Sequence, residues 1–183
     1  MKRMWTFAIV TMVLLTPLDV GQVMTGVQTV GHLTHLSWLL FLGLGALLGV
    51  VSRLIPVTPD HYGLAGAPFD GVKYVFGAYL VTFYYGSQLD AKHELVVVAV
   101  LATLFFIQAL FTIVDMVSWR EWLPWALLLG IGGPLFEMAL VNTGATGYVQ
   151  DTLFEVPLWL PLLWANGAFL ARNLSSYLAG NER

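Results

Sequence analysis

Cysteine is absent from the 183 residues, and with it any disulfide, thiolate metal site or cysteine nucleophile. Charge is scarce as well. Only 10% of the residues are Asp, Glu, Lys or Arg while 58% are hydrophobic, whereas about a quarter of a soluble domain is charged. Too little charge is present to cover a water-soluble globule. There is no run of basic residues and the net charge is −3, which argues against nucleic acid as a partner. Tandem repeats and low-complexity tracts are also missing.

What the sequence has instead is long apolar stretches, over about 4–26, 33–54, 72–89, 95–117, 122–142 and 156–177. Each is about 17–23 residues, the length that crosses ~30 Å of hydrocarbon. Without the alternation of barrel strands, such runs satisfy their backbone only as helices. The expected fold class is all-α: a polytopic integral membrane protein, one six-helix domain over 1–183 whose surrounding partner is the lipid bilayer. The first segment follows Lys2 and Arg3, as a signal peptide would. Pro17, Asp19 and Gln22, with no small-x-small cleavage site, predict that it is retained. With six crossings, Lys2, Arg3, Arg53, Lys73, Arg120, Arg172 and Arg183 fall at one face and only Lys92 at the other. That bias predicts a multi-pass cell-membrane protein with both termini cytoplasmic. Gly45 and Gly49 form a GxxxG pair, a candidate surface for helix–helix oligomerisation.

Polar residues inside the apolar segments carry the functional signal. Glu137 follows Gly132-Gly133-Pro134 within the fifth segment, and an ionisable group at membrane depth costs about 2.5–3.5 kcal/mol on insertion scales. Such a residue is expected to face protein or a polar cavity. At 1.5 Å rise per residue, Asp19 on the first helix should lie at a similar depth, so the two carboxyls can meet. A neutral carboxylic acid beside an apolar pocket can protonate an alkene, and an ionised partner can stabilise the cation or take the proton back. Glu137 and Asp19 are therefore the candidate catalytic pair, and Tyr84, Tyr85, Asn142, Tyr148, Trp164 and Asn166 are candidates to bind a hydrophobic small-molecule substrate, the aromatic faces through cation–π contact. The structural alternative for Glu137 is a bond to a carbonyl freed by Pro134.

Other polar residues read more plainly. Gln108, Thr112 and Asp115 share one helical face, and Asp115, near Arg53 and Arg120, is read as an ion-paired or solvated group rather than a catalyst. His32 and His35 have no carboxylate at ligand spacing and no matching pair, so neither metal nor haem, nor any other cofactor, is expected. His61 and His93 fall in linkers and read as solvated.

Glu137, Gly144, Gly147-Tyr148 and the VPLWLPLLW run from Val156 to Trp164 resemble the C-terminal motif of the carotenoid-biosynthesis membrane proteins, which include carotenoid hydratases. The resemblance covers about a quarter of the chain. It implies an isoprenoid-type substrate and a membrane lyase, cyclase or isomerase using Glu137. Two alternatives come from the residues themselves. One is a small-solute or proton-coupled transporter lined by an interrupted fifth helix. The other is a non-catalytic subunit that packs in a larger membrane complex through Gly45 and Gly49.

Overall fold

The structure, a computed structural model, describes residues 1–29, 31, 37–62, 69–85, 91–149, 153–154 and 156–181. His32, His35 and Arg183 lie outside them. Seven helices follow in order among the described residues: α1 (Lys2–Met24), α2 (Ser37–Val51), α3 (Val72–Tyr85), α4 (Ala91–Val114), α5 (Trp119–Asn142), α6 (Leu160–Ala165) and α7 (Ala168–Gly180). Three of these, α1, α5 and α4 from His93 onward, are long and apolar enough to cross a membrane. Two short strands, β1 (Gln28–Thr29) after α1 and β2 (Gly147–Tyr148) after α5, pair antiparallel with Gln28 opposite Tyr148.

Those two helices stop by the same device. Thr25-Gly26 and Thr143-Gly144 cap them, and both glycines have positive φ, 74° and 70°. The next residue's N–H then reaches back to a last-turn carbonyl, Val27 to Gln22 at 2.8 Å and Ala145 to Leu140 at 2.9 Å, which is the Schellman pattern that satisfies carbonyls a helix end would orphan. Asp19 and Glu137 sit at the same offset before these caps. The β1–β2 ladder then holds both helix ends at one level, hereafter the ladder end. Helix α4 closes in the same way at Met116, where a non-glycine residue takes φ 59°.

Small residues set how closely the helices approach. A Cβ on Gly45 would lie 2.6 Å from the Phe7 carbonyl oxygen, and one on Gly49 would lie 2.6 Å from the Met4 Cα. The GxxxG pair therefore closes a seam between α1 and α2 within the chain, and the expectation that Gly45 and Gly49 face lipid or a second protein is corrected: α1 already covers them. At Gly133 a Cβ would run into the Trp164 ring. The glycine before Pro134 is thus a slot for an indole. Helix α5 runs unbroken through Pro124 and Pro134, so the interrupted fifth helix on which the transporter alternative rests is not found. The interruption falls in the sixth segment, where Asn166 and Gly167 separate α6 from α7. Phe7 stacks on the fully buried Trp125 at 5.7 Å between ring centres, tying α1 to α5 through the middle of the core.

Candidate functional site

Helices α1, α3 and α5 each carry one stripe that changes character along its length. On α1 it runs Thr11, Leu15, Asp19, Gln22; on α3, Val75, Tyr79, Thr82; on α5, Leu129, Gly133, Glu137. Spacings of three and four keep each set on one face. The first residues of all three stripes line a cavity of about 600 Å³ of empty space, counting its open mouth, completed by Leu48, Trp164, Gly167, Leu170 and Leu174 among others. Its walls are almost wholly apolar, with Thr11 and Tyr79 as the polar exceptions. The last residues of the stripes meet in a polar cluster at the ladder end.

That cluster is a directed chain of hydrogen bonds. The Gln22 amide donates to the Thr82 hydroxyl at 3.2 Å, and Thr82 donates to the Tyr79 carbonyl at 2.8 Å. The Gln28 amide nitrogen donates both to Gln22 Oε1 at 2.8 Å and to the Tyr148 hydroxyl at 3.0 Å. Tyr148 in turn is hydrogen-bonded to the carboxyl of Glu137, which is only 5% exposed. With its oxygen already accepting from Gln28, Tyr148 has its own proton to give to Glu137. Asp19 lies within electrostatic range of Glu137, and Tyr79 within range of both acids. Tyr79 therefore joins the two regions, lining the cavity and facing the acids. Gln28 Oε1 is buried and accepts no hydrogen bond.

The sequence-based candidates divide accordingly. Glu137, Asp19 and Tyr148 come together in the cluster, and Trp164 lines the cavity. Asn166 is fully buried elsewhere: its amide donates to the Leu162 carbonyl at 2.7 Å and the Leu101 carbonyl at 3.1 Å, while its oxygen accepts from Gln108 at 2.5 Å. It staples the α6–α7 break to α4. Tyr84 is 74% exposed and packs edge-on against Tyr85, which stacks on the His93 ring at 6.1 Å. Asn142 is exposed and donates to its own helix at Met138. Neither Tyr84 nor Asn142 reaches the cluster or lines the cavity. Tyr79, Gln28 and Thr82 are members that sequence reasoning missed. The Val75–Tyr79–Thr82 spacing is the signal that exposes two of them.

The opposite end is built on charge. Arg172 on α7, 1% exposed, pairs with Glu121 in the first turn of α5, and also donates to the His61 carbonyl and, at 3.1 Å, to Asn173 Oδ1. Thr58 donates to the second Glu121 oxygen at 2.7 Å. Ser176 donates to the Thr58 carbonyl at 2.5 Å and accepts the His61 N–H at 3.0 Å, and His61 Nε2 lies 3.1 Å from the Asp115 carbonyl. The segment 58–61 is thereby strapped across α7 and α5. His61, read from sequence as solvated, is half-buried in this strap. Just beyond it, Tyr62 donates to Asp60 at 2.9 Å, and partial burial with that bond pushes its hydroxyl up to about 12.

No protein-family model matches the chain, and no curated protein does. Among solved structures it is similar to MvINS, an Insig homologue from Mycobacterium vanbaalenii, with a TM-score of 0.75 at 20% identity over 100% of this chain and 97% of that one. It is equally similar to a cross-linked trimer of a cysteine variant of MvINS, with a TM-score of 0.77 at 20% identity and the same coverage. At that identity the likeness is one of fold: this is an integral membrane protein with an Insig-homologue-like helical fold. The expected kinship with the carotenoid-biosynthesis membrane proteins is overturned by it. The residues that carry that resemblance have other jobs: Gly144 is a helix cap, Gly147-Tyr148 is β2, and Trp159 within the Val156–Trp164 run is fully buried core. Isoprenoid, carotenoid and lyase assignments lose their support with it.

Proposed function

We propose that this protein is a non-catalytic membrane binding module that holds one amphipathic, lipid-like molecule, its tail in the apolar cavity and its head at the Glu137 cluster. The observation that carries this reading is the common change of character along α1, α3 and α5, from cavity wall to hydrogen-bonded cluster. Apolar clefts with a few convergent polar groups are the usual form of small-molecule sites. Glu137 and Asp19 stand at the end of the cavity and not in its wall. That placement suits holding a head group better than attacking a hydrocarbon chain, so the two acids are assigned to binding, together with Tyr79, Tyr148 and Trp164.

The same reading takes the chain as one domain with six crossings, α6 and α7 together forming the last, and with both termini at the cytoplasmic face on the basic-residue bias. Reporter fusions check this: a C-terminal reporter active only outside the cell removes the six-crossing topology. Self-association is part of the proposal, supported by the trimeric MvINS neighbour, and it uses surfaces other than Gly45 and Gly49. The binding claim is tested by native mass spectrometry of the protein extracted in mild detergent. Wild type should retain a small amphipathic molecule near one per chain, and Ala171→Phe, which fills the cavity from α7, should release it while keeping the unfolding midpoint. Equal retention by both proteins would remove the cavity as the site.

A further inference from the structure

Three acceptors of different kinds converge at the ladder end: the carboxyls of Glu137 and Asp19, and Gln28 Oε1. The last is the independent observation, because Gln28 is only 4% exposed and that oxygen accepts nothing, although its partner nitrogen is doubly used. Its orientation is fixed by the network. Turning the amide over would set its oxygen against Gln22 Oε1 and take a donor away from Tyr148. The donors of the cluster are already committed, Gln28 N–H to Gln22 and Tyr148, Gln22 N–H to Thr82, Thr82 O–H to Tyr79, and Tyr148 to Glu137. Acceptor capacity therefore exceeds donor supply at a buried site, where an unmet acceptor is costly.

Resting on the binding-module reading, we propose that the head group this site selects is a primary ammonium on an apolar tail. An –NH3+ group offers three donors and no acceptor, which matches three converging acceptors. Its charge compensates carboxylates that would otherwise be buried without a counter-ion. A hydroxyl head supplies one donor and no charge. A carboxylate head supplies neither, and meets two like charges. Geometry also places the head correctly: Asp19 lies one helical turn, about 6 Å, beyond Leu15 of the cavity wall. Asp19 is half-buried and Glu137 and Gln28 lie deeper, so an ammonium entering with its tail along α1 meets Asp19 first.

The test uses three probes of one chain length, dodecylamine, dodecanol and dodecanoate, titrated against the purified full chain in a neutral detergent, with bound fraction read by native mass spectrometry. The amine should bind about tenfold more tightly than the alcohol, as expected if one charge-assisted contact replaces a neutral one, and the acid should bind most weakly. In Glu137→Gln the amine-to-alcohol ratio should fall to near one. Should that variant fail to fold, Asp19→Asn reads the same ratio from the accessible edge of the cluster. Three equal affinities, or a preference for the acid, overturn the ammonium assignment and leave the binding module standing. Binding by none of the three overturns the binding module and the assignment together.

Discussion

The two ends of this bundle bury carboxylates in opposite ways. Glu121 faces Arg172 and a hydroxyl from Thr58, so its charge is compensated within the chain. Glu137 faces a tyrosine and another acid. Both are buried, and both sit on α5, on either side of the middle of one unbroken helix. The comparison separates two uses of a buried charge: a group closed by its own chain holds elements together, and a group left open to donors from outside is a place to receive something. Removing one partner of a closed pair strands the other, at about 3–5 kcal/mol. An acid that relies on neutral donors can be replaced by an amide at little cost, because the amide oxygen still accepts.

The same substitution at the two ends should therefore give unequal results. Glu121→Gln leaves Arg172 buried without its counter-charge and should destabilise by about 3–5 kcal/mol, seen as a large drop in the detergent unfolding midpoint. Arg172→Met combined with Glu121→Leu should recover most of that loss, since an apolar pair of similar volume avoids the desolvation cost. Glu137→Gln should shift the midpoint by less than about 1 kcal/mol. Equal losses at both ends would erase the distinction between a structural pair and an open site.

Between those extremes lies the seam that shapes the cavity. Gly133→Ala should cost about 1–3 kcal/mol through overpacking against Trp164. The same change in a Trp164→Ala background should be neutral or stabilising, because the clash is gone and alanine favours helix. A penalty that persists without the indole would show that Gly133 answers to something other than the cavity wall.

The smallest effect belongs to Tyr62. Its folded pKa is raised, first by burial and then by its bond to Asp60, so the folded state holds the proton more tightly than the unfolded chain. The stability this adds is fully present below pH 10 and is lost as pH rises from 10 to about 12. Tyr62→Phe should remove that part of the alkaline dependence and leave the profile below pH 10 unchanged. A retained alkaline slope in the variant would assign it to another tyrosine.

Membrane character and helix positions are legible in the sequence because hydrocarbon permits few other solutions for long apolar runs. The common level of Asp19 and Glu137 can be counted along their helices, since rise per residue is nearly constant. What is not legible depends on which faces meet. Glu121 and Arg172 are 51 residues apart in the chain, and each, near a segment end, reads as an ordinary interfacial charge. Gly45 and Gly49 announce close approach without naming the partner, which proves to be α1. Asn166-Gly167 breaks the last segment without leaving an apolar context, and the Gly-Gly-Pro of α5 looks like a break and is a slot for Trp164. Tyr79 is hidden among seven tyrosines until the stripes of α1, α3 and α5 are laid side by side.

Occupancy of the cavity by an apolar tail is tested most directly by quenching of Trp164, which lines it. A dodecylamine brominated at mid-chain, titrated into the purified protein, should produce a saturable loss of tryptophan emission. That saturable component should be missing in Trp164→Phe, whose remaining quenching should rise only linearly with probe. Identical saturable quenching in wild type and Trp164→Phe would contradict a tail bound between α1, α3, α5 and α7.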